Sequence, residues 1–310
     1  MELKETHFLR KYNITTADKI TYGWSSDEKY HLKDVFGHQF VLRLSAPDTF
    51  DDKQNDFRII TKINKLDFNM SKVLEVGYSK ELDRTFMLFS WVEGEMLSDQ
   101  IAKFSDIEQF KLGVEAGKIL YKIHHVDVDK QDYPPKNRVE KKMKQLEEYI
   151  SCSHRIPNDE NVINYIKDNV HMINEVPVVY KHGDFHLGNM VLSSDNKIGI
   201  IDFDRLGCGD GYDEFYKLQA FEVEVSIPFA IGKIKGYFGE EPPAEFWKIQ
   251  KLYVAHSSLY SIKWAEGFGY KDVEGMIERY YSASETYNNF SLLIPKWFTQ
   301  NTIKFPLTLA

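Results

Sequence analysis

The sequence predicts an α+β fold in two lobes, a small antiparallel sheet carrying one helix and then a mostly helical lobe with an embedded hairpin. Three observations predict it. Short apolar and aromatic runs parted by turn residues fill the N-terminal part, and long helical periodicities take over after Glu93. Between Val178 and Phe203 two apolar stretches, NMVL and KIGIIDF, then interrupt the helices around the polar turn SSDN.

In chain order, Thr21 to Leu44 reads as strand, loop, strand, turn, strand, with Gly37 at the tip of a hairpin in KYHLKDVFGHQFVLRLS. Phe57, Ile60 and Ile63, continued by Leu66, recur at helical spacing in DDKQNDFRIITKINKL, and SKVLEVGYS and RTFMLFSWV complete the sheet. This sets the expected lobes at 1–92 and 93–310. The second opens with SDIEQFKLGVEAGKILYKIHHV, where Ser105 can cap and Glu108 stands at the capping-box position. A polar connector, DKQDYPPKNR, precedes helices at RVEKKMKQLEEYI and NVINYIKDNVHMI. From Tyr212 onward helical patterns rich in Tyr, Phe and Trp return. No internal repeat is present.

With 310 residues, 43% of them hydrophobic, the chain can bury a substantial core. Its two cysteines, Cys152 and Cys208, indicate neither a disulfide framework nor a structural zinc site, so a reducing, cytoplasmic setting is expected. The N-terminus lacks the apolar run of a signal peptide or membrane span. A net charge of -8 argues against a nucleic-acid partner, because the overall field repels phosphates.

The chemistry concentrates in HGDFHLGN, His182 to Asn189, and in IIDFDR, which carries Asp202. Phosphoryl transfer needs a base near the attacking hydroxyl and cations that neutralise phosphate oxygens. Mg²⁺ prefers a few carboxylate or amide oxygens, so an Asn and an Asp returned to one place by the two ends of a hairpin suit it. Asn189 begins that hairpin and Asp202 ends it, while Asp184 sits on the loop leading in.

HGDFHLGN followed by IIDFDR resembles the motif of the aminoglycoside phosphotransferase and choline kinase superfamily, small-molecule kinases with a protein-kinase-like fold. GWSSDEKYHL with FVLRLS resembles that family's nucleotide loop and third strand, LFSWVEGEML its hinge, and KILYKIHHV the helix before the catalytic region. The resemblance implies Asp184 as catalytic base, Asn189 and Asp202 as Mg²⁺ ligands, ATP or GTP as donor, and GCGDGYDEF as a buttress of the site.

Arginine stands where protein kinases carry the strand lysine. In VLRLS, Val41 and Arg43 share one face and Phe40, Leu42 and Leu44 the other, so Arg43 can face the cleft and fork onto phosphate. Its expected acidic partner is Asp56, with Asp52 as the substitute. Gly23, Ser25 and Ser26 form the candidate phosphate loop, and the backbone of Ser90 and Val92 is expected to meet the purine edge. His182 and His186 are read as structural, and Asp204 as a cap. Glu222, Glu224 and Glu266, with Trp264 or Tyr270, are candidates for holding a cationic acceptor. Two rival readings are a non-catalytic nucleotide-binding module and a hydrolase holding a metal on His182, Asp184 and His186.

Overall fold

A computed structural model describes residues 6–21, 27–134 and 138–305. Gly23, Ser25 and Ser26 therefore lie outside the described residues, as does part of the polar connector. By contacts the chain divides into two units, 1–95 with 191–203 and 96–190 with 204–310. Residues 191–203, expected in the second lobe, thus group with the first unit.

The first unit opens with a short helix α1 (His7–Lys11) and strands β1 (Ile14–Ile20), β2 (Glu28–Asp34) and β3 (Gln39–Ser45). The first strand therefore lies ahead of its expected start at Thr21. Helix α2 (Phe50–Ile63) follows, then β4 (Asn69–Met70), β5 (Val73–Ser79) and β6 (Arg84–Ser90). Helix α2 buries Ile59, Ile60 and Ile63 and ends before Leu66. The antiparallel sheet runs β1-β2-β3-β6-β5. Its register sets Lys29 opposite Arg43, and Arg43 opposite Met87. Leu42 and Leu44 pack with Leu32, Phe86 and Leu88 on one face, with Phe40 against them. Period-two alternation then sends Arg43 to the other face.

Beyond β7 (Glu95–Met96) come α3 (Leu97–Gln100) and α4 (Asp106–His124), the latter started by the expected capping box of Ser105 and Glu108. Helices α5 (Arg138–Ile150) and α6 (Glu160–Asn169) precede strand β8 (Val178–Lys181). The hairpin strands are β9 (Met190–Leu192) and β10 (Ile198–Ile200), and β10 pairs in parallel with β4, which ties 191–203 to the first unit. Strand β11 (Gly207–Asp210) pairs antiparallel with β8, with Gly207 opposite Lys181. The chain closes with α7 (Ile227–Phe238), α8 (Ala244–Ala265), α9 (Tyr270–Thr286) and α10 (Lys296–Asn301).

Two contacts organise the second unit. Helix α8 is buried over most of its surface and shares one core with α5, α6 and α9. Helices α4 and α7 meet backbone to backbone. A Cβ on Gly232 would lie 2.1 Å from the Phe110 carbonyl oxygen, and one on Gly113 equally close to that of Phe229. Among the described residues no helix is long and apolar enough to cross a membrane.

Candidate active site

The β8–β11 pairing brings the two chain segments that follow Lys181 and precede Gly207 side by side. Gly183 has a φ of +82°, and a Cβ there would sit 1.7 Å from the Arg205 carbonyl oxygen, so only glycine fits. The fully buried Glu214 fixes the same turn, accepting from the Gly183 N–H at 2.6 Å and the His182 N–H at 3.0 Å. Its carboxylate is held in turn by the buried His124, 2.9 Å away. Burial would raise the Glu214 pKa, but hydrogen bonding and charge from His124 hold it below the usual value. The buttress implied for GCGDGYDEF thus acts through a single carboxylate on two backbone donors.

Asp184 emerges from this clamp, its own N–H donating to His182 Nδ1 at 3.2 Å. Three basic side chains surround its carboxylate: Lys217 in direct contact, His186 at 3.5 Å and Arg205 at 4.0 Å. Burial alone would push its pKa up, yet the His186 hydrogen bond and the Lys217 charge hold it well below the carboxylate range. Lys217 is buried between the Tyr216 and Phe221 rings, directly before a π-helical turn at Leu218–Glu222. Below the loop, Lys233 donates to the Phe185 carbonyl at 2.8 Å and pairs with Glu222 at 2.9 Å, both side chains fully buried.

Asn189 is tethered to the same loop. Its Nδ2 donates to the Asp184 carbonyl at 2.8 Å, so the amide oxygen is the end left for a ligand. His186 accepts from the Gly188 N–H through Nδ1, as a residue that fixes the loop would, while its Nε2 lies 3.5 Å from Asp184.

In the first unit Asp202 follows β10 with a φ of +64°, an uncommon conformation for a side-chain-bearing residue. Arg43 donates to its Oδ1 at 2.5 Å and Lys29 to its Oδ2 at 2.8 Å. Burial would raise the Asp202 pKa, but Arg43 and then Lys29 bring it down to about 2. Arg43 also reaches Asp27 at 3.3 Å. Asp56, the expected partner, lies 3.7 Å from Lys53.

The Ser90 N–H donates to the Lys72 carbonyl at 2.8 Å, and the Ser90 hydroxyl accepts from the Lys72 N–H. That donor is therefore not available to a purine. Val92 is buried, with its side chain against Gly199. The acids expected to hold an amine are also engaged: Glu222 by Lys233, Glu224 by Arg279 at 2.9 Å, and Glu266 by Lys263 and His154.

Lys217, Glu214, Lys233, Lys29 and Asp27 were missed. Glu214 lay within the expected buttress GCGDGYDEF, and Lys29 had a signal in the Gly37 hairpin register that sets it across from Arg43. Among the described residues no group of three or more His, Cys, Asp or Glu is arranged to hold a metal ion. With the His182 ring buried and accepting from the loop backbone, the hydrolase reading has no support.

Solved structures share the fold at low sequence identity. The GDP complex of an aminoglycoside 2'-phosphotransferase matches with a TM-score of 0.69 at 15% identity, over 91% of this chain and 97% of that one. The gentamicin complex of another aminoglycoside phosphotransferase gives 0.67 at 19%, over 91% and 95%. A choline/ethanolamine kinase family protein from Mesorhizobium loti gives 0.67 at 15%, over 94% and 95%. No curated protein matches by sequence. The model of the phosphotransferase enzyme family matches residues 16–247, and the chain belongs to that family as a small-molecule kinase of the protein-kinase-like α+β fold.

Proposed function

We propose that the chain transfers the γ-phosphoryl group of ATP or GTP to a hydroxyl of a small molecule, with Asp184 as the base. The observation that carries this reading is the Asp184 carboxylate paired with Lys217 on a loop clamped by Glu214, with Asn189 tied to its carbonyl. The acceptor oxygen bonds to the γ-phosphorus, the bond from that phosphorus to the β–γ bridging oxygen breaks, and the hydroxyl proton passes to Asp184. Nucleoside diphosphate and a phosphate ester result. So acidic a carboxylate is a weak base, which suits a loose transition state in which the proton leaves late.

Asn189 Oδ1 and the Asp202 carboxylate are the Mg²⁺ ligands in this reading, an amide and a carboxylate oxygen of the hard type the ion prefers. Mg²⁺ supplies neutralisation of the phosphate oxygens. Arg43 and Lys29 then have phosphate oxygens as well as Asp202 to bind. Gly23, Ser25 and Ser26 serve as the phosphate loop, and the Val92 backbone meets the base. Solved neighbours bound to ADP, ATP or GDP support a nucleotide donor. Others bound to gentamicin, streptomycin or kanamycin support a small hydroxylated acceptor.

Titration of Asp202→Ala with Mg-nucleotide is the test. Affinity at least about 10-fold weaker is expected, from loss of a metal ligand, and unchanged affinity would refute the assignment.

A further inference from the structure

The three carboxylates expected from the sequence to receive an amine are already paired within the chain. Glu222 is fully buried on Lys233, Glu224 lies on Arg279, and Glu266 is shared by Lys263, His154 and Ser153. Beside the base the balance is reversed. Phe221 is a hub: the His186 ring stacks on it at 5.2 Å, the Arg279 guanidinium carbon lies 5.2 Å from its centroid and the Lys217 ammonium 5.6 Å. Arg205 approaches Asp184 from another side. Lys217, Arg205 and His186 thus lie on Asp184, and Arg279 on Glu224, with Phe221 between Arg279 and the Lys217–His186 pair.

From this charge arrangement we infer that the acceptor is a hydroxyl compound bearing an anionic group, a carboxylate or a phosphate ester, bound by Arg279 beside Phe221. The inference rests on the phosphotransferase reading and narrows its substrate. Lys217 and Arg205, in contact with or near the base, are placed to meet the transferring phosphoryl group. Arg279 has a different position. Its one charged partner among the described residues is Glu224, whose side chain is 46% exposed, and the Arg279 side chain is itself 32% exposed. An incoming anion can exchange with that solvated carboxylate, whereas a polycationic acceptor would meet like charge at Arg279, Arg205 and Lys217 together. Guanidinium offers the forked donors that carboxylate and phosphate oxygens accept, and the Phe221 ring gives a flat apolar wall for the carbon skeleton.

The test measures transfer by the full chain from MgATP and MgGTP to two sets of hydroxyl compounds. The anionic set is gluconate, glycerate, glucose 6-phosphate and glycerol 3-phosphate, which separates carboxylate from phosphate ester. The cationic set is kanamycin, gentamicin, choline and ethanolamine. The expected result is transfer to a member of the anionic set with kcat/KM at least about 10-fold above every cationic one. Arg279→Gln should raise KM for that acceptor about 10-fold with a smaller change in kcat, and Arg279→Lys should recover part of the loss. Preference for the cationic set, no transfer to any anionic member, or an Arg279→Gln KM equal to wild type would each overturn the inference. Transfer to cationic acceptors alone leaves the phosphotransferase reading standing. Failure to bind either nucleotide in a calorimetric titration removes both.

Discussion

Asp184 shows how far a residue's chemistry depends on neighbours distant in the chain. Its place in HGDFHLGN marks it as the candidate base, but its acidity comes from His186 and Lys217 acting against burial. Lys217 lies 33 positions away, and a lone lysine in YDEFYKLQ is indistinguishable in sequence from a solvated one. A depressed pKa means that Asp184 stays ionised until well below pH 4, so the acid limb of the kcat/KM profile should contain no Asp184 step near that value. In Lys217→Met burial is opposed by one cation fewer, so the Asp184 step should rise and enter the acid limb, with lower turnover. An unmoved limb would mean that the ion pair does not tune the base.

At the scale of elements, motifs with local physics were legible. The Ser105–Glu108 capping box, the Gly37 hairpin and the SSDN turn each state their structure within a few residues, and the structure contains all three. Asn189 and Asp202 were proposed as a pair on the strength of the hairpin that joins them. Contacts made by the folded backbone were not legible. The α4–α7 crossing depends on Gly113 and Gly232, which read in sequence as weak points in two helices. Gly232→Ala gains helix propensity but forces a Cβ to 2.1 Å from the Phe110 carbonyl oxygen. Net destabilisation of about 1–3 kcal/mol is expected, read as a lower denaturation midpoint. An equal or higher midpoint would show that the helices can separate without cost. Nor does any local pattern announce Asp202 and Asp27 on Arg43, since each comes from a segment outside α2.

Across the whole molecule, pH links folding to buried histidine. His256 on α8 is buried with Nε2 2.9 Å from the Lys142 carbonyl, and burial, aided by the Lys142 charge, brings its pKa down to about 3. Above pH ~6.5 it is neutral folded or unfolded. As pH falls below that, the unfolded chain takes up a proton that the folded chain refuses, so stability is lost by about 1.4 kcal/mol per pH unit towards pH 3. Asp210, buried and pushed up to about 6, acts in the opposite sense between its unfolded and folded values, losing stability as pH rises. The His256 contribution is therefore read from the difference between wild type and His256→Gln, which should shrink steadily from pH 7 to pH 4. A constant difference would contradict it.

The central claim, that Asp184 is the base of a phosphotransferase, is tested most directly by Asp184→Asn, which nearly preserves shape while removing the charge. Transfer of labelled γ-phosphate to the hydroxyl panel and Mg-nucleotide affinity are measured on the same preparation. The account predicts a fall in transfer of at least about 10²-fold with nucleotide affinity close to wild type. Wild-type transfer by Asp184→Asn would contradict it.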